Sequence, residues 1–141
     1  MSNSRLFTLE DAERTLPLVR GIVADLVKEY PDWRAGVSRY EALTLVARAD
    51  SGETAEMQAV LGDVNARAAR IDGYLKELES IGCVFKGFEA GLVDFPSLRD
   101  DQPILLCWRL GEERITHWHP VDGGFDGRQP VDDAILSEVA R

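Results

Sequence analysis

Leu75-Lys76-Glu77-Leu78-Glu79-Ser80-Ile81-Gly82-Cys83-Val84-Phe85-Lys86-Gly87-Phe88 is the stretch in which this chain changes its period. Upstream of Gly82, the apolar residues Met57, Val60, Leu61, Val64, Ala68, Ile71, Leu75 and Leu78 step by threes and fours, as the buried stripe of one helix does. Glycine commonly ends a helix, so Gly82 predicts the stop of a helix running from about Glu53 to Ser80. Downstream the pattern shortens. Cys83 to Phe88, Leu92 to Phe95, Ile104 to Leu110 and Arg114 to His119 are brief, β-branched or aromatic runs separated by Gly, Pro or Asp clusters. They read as strands of a small antiparallel sheet.

Working back toward the amino terminus, Thr8 precedes Leu9-Glu10-Asp11, a cap followed by acidic residues, and predicts a helix start. Pro17 is best accommodated in a first turn, so a second segment capped by Thr15 is expected. This segment carries Val19, Ile22, Val23, Leu26 and Val27 at helical spacing and ends at Tyr30-Pro31-Asp32. A third segment, Val37 to Arg48, aligns Tyr40, Leu43 and Ala47 and stops at Asp50-Ser51-Gly52. The long stripe after it needs a long partner, so antiparallel packing on the Pro17 segment is expected, with a second subunit completing it.

The fold class is therefore α+β: long antiparallel helices in the N-terminal half (8–81) and a small antiparallel β-sheet in the C-terminal half (82–121). A Gly-rich loop and a short terminal helix, Val131 to Ala140, complete the chain (122–141). One domain over 1–141 is the expectation, because a single core typically organises roughly 100 to 150 residues. Apolar residues make up 45%, a globular share. The net charge of -9 repels phosphate backbones and anionic bilayers, which argues against nucleic acid or membrane as partner. Met1 to Thr8 lacks the basic start and apolar run of a secretory leader, and no apolar window spans a bilayer, so a cytoplasmic protein is expected. Cys83 and Cys107 form no close motif and are expected to stay reduced.

The most chemically specific segment is Thr116-His117-Trp118-His119-Pro120. In a strand it puts both histidines of the chain on one face. His117 and His119 could hold a divalent ion, zinc, iron or manganese, with Asp94 or Glu89 as third ligand. Asp94 lies between Val93 and Phe95, and a carboxylate among apolar neighbours needs a partner. The plainer alternative leaves the histidines on a partly solvated face, with Asp94 accepting amide hydrogen bonds before Pro96-Ser97.

Register decides which side chains meet. A two-residue Gly111-Glu112 turn, favoured by Gly in first place, sets Leu106 opposite His117 and Ile104 opposite His119, with Cys107 on the other face. A three-residue loop sets Cys107 opposite His117 and creates a nucleophile and base pair. Gly123-Gly124-Phe125-Asp126-Gly127-Arg128 reads as a turn in which Arg128 pairs with Asp122 or Asp126, or as an anion cradle.

Several of these segments together resemble a known family. Phe7-Thr8-Leu9-Glu10, Leu16-Pro17-Leu18-Val19, Gly91-Leu92-Val93-Asp94-Phe95-Pro96, Leu106-Cys107-Trp108-Arg109, Trp118-His119 and Gly127-Arg128-Gln129-Pro130 run collinearly over about residues 6 to 130. They are similar to an uncharacterised prokaryotic domain of unknown function, the DUF2203 family, whose label implies no activity. The resemblance places Asp94, Cys107, Trp108, His119 and Arg128 inside motif segments. It puts His117 where the family pattern tolerates other aromatic residues, which moves the expected centre to His119, Asp94 and Arg128.

The expectation is a small intracellular binding domain with a pocket of Asp94, Trp108, His119 and Arg128, and a divalent metal on His117, His119 and Asp94. One alternative is a homo-oligomeric interaction module that self-associates through Leu61, Ile71 and Leu75. Another is a hydrolase-like enzyme with His119 as acid or base and Asp94 orienting it.

Overall fold

The computed structural model describes residues 5–50 and 52–136. Its helical part is a hairpin of two helices, α1 (Leu9–Asp50) and α2 (Ala55–Ile81). Thr8 caps α1, its Oγ1 accepting from the Asp11 amide at 3.1 Å. Thr54 caps α2 in the same way through Met57, and Gly82, at φ 106°, closes its carboxyl end. The buried residues of α2 are Met57, Val64, Ile71 and Leu78, one every seven, which is the seam of a helix lying along a partner. Arg67 and Arg70 reach from α2 to Glu29 on α1 at 2.8 and 3.1 Å. Their guanidinium hydrogen bonds, that of Arg70 first, hold the Glu29 carboxyl below its ordinary range against the opposing effect of burial.

Three predicted N-terminal segments are in fact one helix. α1 runs through both Pro17 and Pro31, although each removes a helical hydrogen bond. Both prolines are exposed, so each ring occupies the solvent side while the opposite stripe stays continuous. Ala12, Leu16, Val19, Val23 and Leu26 are buried on that stripe. Near Pro31, Tyr30 stacks on Phe88 at 4.1 Å and on Trp33 at 5.8 Å, tying both sides of the proline into one packed surface. Tertiary packing overrides the local break. Pro31→Ala is accordingly expected to stabilise the protein by about 1–3 kcal/mol, read as a higher urea midpoint with unchanged slope.

The sheet is an antiparallel meander of five strands in chain order: β1 (Val84–Gly87), β2 (Leu92–Arg99), β3 (Gln102–Arg109), β4 (His117–Pro120) and β5 (Gln129–Pro130). β2 continues beyond Phe95, where the predicted strand stops. Pro96 is tolerated because β1 does not extend that far and the Pro96 carbonyl accepts from Phe7 N at 2.7 Å instead. Asp100 and Asp101, both at positive φ, make the tight turn into β3. β5 lies within the segment expected to be only a loop.

One face of the sheet carries Val93, Phe95, Leu106, Trp108 and Trp118, which join Leu16, Val19, Val23, Leu26 and Leu78 in the core. Asp132 starts a short α3 (Asp133–Leu136) by accepting from the Ile135 amide, and Ile135 is buried. The remainder of the expected terminal helix, 137–140, lies outside the described residues. Among the described residues, no helix is long and apolar enough to cross a membrane.

Candidate metal centre

Alternation along β2 sends Val93 and Phe95 to the helices and Asp94 to the opposite, outer face. The register carries that parity across the sheet. Asp94 pairs with Cys107 and Cys107 with His117, while Leu105, one row along, pairs with His119. Asp94, Cys107, His117 and His119 therefore share the outer face. The two-residue turn expected before β4 is wrong by one residue. Gly111 sits at φ 106° in a reverse turn closed by Glu112 N on the Arg109 carbonyl at 3.0 Å, and the chain then runs irregularly to His117, burying Ile115 on the way. Such a shift moves every side chain of a strand to the other face.

The outer face is not open to water at this point. The chain leaving β4 turns back over it, bringing Val121 and the short 3₁₀ turn Phe125–Gly127 beside the sheet. Asp94 and His119 are each 3% exposed and Cys107 is 1% exposed. His119 Nε2 stands 3.1 Å from Asp94 Oδ1, and its Nδ1 lies 2.8 Å from the Pro120 carbonyl oxygen. A carbonyl only accepts, so Nδ1 donates to it. This is the orientation in which a metal-binding imidazole is ordinarily held: one nitrogen anchored to the backbone, the other turned toward the ion.

One ligand atom from each of Asp94, Cys107 and His119 lies within 4.8 Å of the other two. Bonds of about 2.0–2.3 Å to a shared ion separate neighbouring ligands by roughly 3–4 Å, so modest rotations of these side chains close the set. His117 is not one of the three. Its Nδ1 pairs with Thr116 Oγ1 at 2.8 Å. Glu89 is exposed in the turn between β1 and β2. Trp108, expected in the pocket, is on the helix side of the sheet, fully buried, and donates from Nε1 to the Glu112 carbonyl at 2.9 Å. It has the opposite strand parity to Asp94 and Cys107, so it cannot line the same cavity.

Arg128 comes to the edge of the site by a route the sequence did not suggest. It pairs with neither Asp122 nor Asp126. Its Nη2 donates to the Glu112 carboxylate at 2.8 Å and to the Cys107 carbonyl at 3.1 Å, and its guanidinium lies 4.9 Å from the Phe125 ring. Burial works against its charge, yet the Glu112 carboxylate raises its pKa above the ordinary guanidinium value. Arg128 thus ties the closing loop to β3.

Burial pushes the Cys107 thiol up to about 11, Asp94 pushes the same way, and Arg128 opposes them. Burial likewise pushes Cys83 up to about 11. Although Cys107 is opposite His117, as the three-residue loop required, a thiol of this kind is not an activated nucleophile near neutrality. With chelator present, neither cysteine is expected to react with an alkylating reagent at about pH 8 until denaturant is added. The sign of the pH dependence follows. Between the ordinary 9.0 and about 11 the unfolded thiols lose protons that the folded ones retain, so stability falls as pH rises through that window. Thermal melts across it in metal-free buffer measure the fall.

A family model described as "Uncharacterized conserved protein (DUF2203)" matches residues 5–131. The chain belongs to the DUF2203 family. The match takes in the helical hairpin, the whole sheet, and with it every residue of the candidate centre of this DUF2203 chain. No curated protein and no solved structure matches the chain.

Lys86 also reaches the site and was not singled out as a site residue by sequence. Phe85 pairs with Val93 and Gly87 with Leu92, which leaves Lys86 as the extra residue of a β-bulge. Nothing local in Val84-Phe85-Lys86-Gly87 announces the bulge, since it arises from the pairing with β2.

Proposed function

We propose that this chain is a small metal-binding domain, holding one divalent ion on Asp94, Cys107 and His119. The observation that carries the reading is the meeting of three buried ligand groups of different chemistry, with His119 oriented by the Pro120 carbonyl. Replacing His117 with Cys107 in the ligand set also narrows the choice of ion. A thiolate beside imidazole and carboxylate suits zinc or iron, whereas manganese prefers oxygen. An ion bound there deprotonates the thiol, which the metal-free pocket keeps protonated. Two unpaired, buried cysteines fit a reducing, cytoplasmic setting.

Three protein ligands leave a position for water or another molecule, the arrangement of a binding or catalytic site rather than of a closed structural one. Zinc reconstitution of protein without a histidine tag, followed by native mass spectrometry, is expected to give one ion per chain. Asp94→Ala, Cys107→Ala and His119→Ala should each lose it, while His117→Ala retains it. Substoichiometric zinc in the parent, or full retention in the three variants, rejects the reading.

A further inference from the structure

The cavity over the centre has a volume of about 280 Å³ and bounds what the centre can take. It falls just below the ~300–1,000 Å³ of sites for drug-sized molecules, so its occupant is small. Its floor is Asp94, Cys107 and His119, its walls include Leu92 and Leu105, and Val121 and Phe125 flank the opening. Val121 and Phe125 are 62% and 41% exposed, large apolar side chains left at the mouth of a polar centre. Lys86 lines the same cavity, on the face that strand alternation gives it together with Val84, the partner of Asp94. Among the described residues no carboxylate forms an ion pair with it.

Charge selects the class of ligand. A divalent ion bound by a carboxylate, a thiolate and a neutral imidazole is neutral as a unit, so Lys86 leaves the cavity one positive charge in excess. A neutral polar ligand would gain nothing from that ammonium, which stays solvated at the rim, whereas a monoanion both completes the ion's coordination and faces Lys86. The apolar walls ask that the rest of the ligand be hydrocarbon.

Resting on the metal reading above, we propose that the cavity binds a small carboxylate with an apolar tail. Its carboxylate sits between the bound ion and Lys86, and its tail lies against Leu92, Leu105, Val121 and Phe125.

The test is calorimetric titration of zinc-loaded protein with benzoate and butyrate, against the neutral benzamide and butyramide and against inorganic phosphate. Benzoate is expected to bind one per chain, about ten-fold or more tighter than benzamide and than phosphate. Lys86→Met should lose a similar factor with zinc content unchanged, and Lys86→Arg should recover most of it. Lys86 is an exposed rim residue, so the unfolding midpoint of Lys86→Met should match the parent and exclude misfolding. Equal binding of benzoate and benzamide, or no effect of Lys86→Met, overturns this inference while the metal reading stands. Phosphate binding as tightly as benzoate overturns the apolar tail. A parent that takes up no zinc rejects the metal reading itself, and the carboxylate site with it.

Discussion

Saturating zinc is expected to raise the thermal midpoint of the parent protein by about 10 °C and to leave Cys107→Ala unmoved. The three ligand groups stand on three neighbouring strands, β2, β3 and β4, at positions 94, 107 and 119. They come together only when Asp94 pairs with Cys107 and Leu105 with His119. The unfolded chain has no such site, so an ion held there would bind the native state preferentially. Free ion at about a thousand times its dissociation constant then adds ~4 kcal/mol. A chain of this length gains roughly 2–4 °C for each kcal/mol. The competing account of the same geometry is a buried His119–Asp94 hydrogen bond with Cys107 as packing. In that case zinc does nothing to the melt and Cys107→Ala costs only a small cavity. Chelator and zinc curves that superimpose for the parent decide for that account. His117→Ala, which leaves the ligand set intact, should keep the full zinc-induced rise.

The parts of this architecture that could be read from sequence are those set by local chemistry. Thr8 and Gly82 bound helices because a hydroxyl oxygen or a left-handed glycine satisfies helix-end groups within a turn of its own position. The seven-residue spacing of Met57, Val64, Ile71 and Leu78 likewise shows itself without a partner. What could not be read depends on groups distant in sequence. Pro31 marks a break by propensity, and the contacts that favour a continuous helix come from afar: Phe88, in the turn after β1, stacks on Tyr30, and Arg67 and Arg70 of α2 pair with Glu29. Asp94 could be suspected from its apolar neighbours and His119 from its side-chain chemistry. Cys107 was legible only as one of two alternative registers: pairing with β2 gives it the face of Asp94, but whether the histidines join that face depends on the irregular path from Arg109 to His117, along which Ile115 is buried. Lys86 reads as an ordinary outward lysine of an edge strand, and Phe125 reaches the site through a returning loop that leaves no periodic trace.

Gly91→Ala is expected to destabilise the protein by about 2–4 kcal/mol, and Gly111→Ala by only ~1–2 kcal/mol. Both glycines hold a positive φ, 66° at Gly91 and 106° at Gly111, so both substitutions incur the strain of a side chain in a backbone region that L-residues avoid. They differ in what surrounds them. A Cβ on Gly91 would lie 2.9 Å from Leu110 Cβ, 3.0 Å from Val23 Cγ1 and 3.2 Å from Val27 Cγ2, whereas one on Gly111 meets nothing within 4 Å. Gly91 is thus the point where the turn between β1 and β2 passes under α1. Its amide donates to the Gly87 carbonyl, and its own carbonyl accepts from Leu110, each at 3.0 Å. Moving it would lift the start of β2 away from the helix and disturb the strand that aims Asp94 at His119. Gly91→Ala should therefore also weaken zinc binding, in contrast to Gly111→Ala. Urea midpoints and zinc affinities measured on the pair separate backbone strain from packing. Equal losses from both variants would mean that the close approach of α1 and β2 contributes nothing to stability.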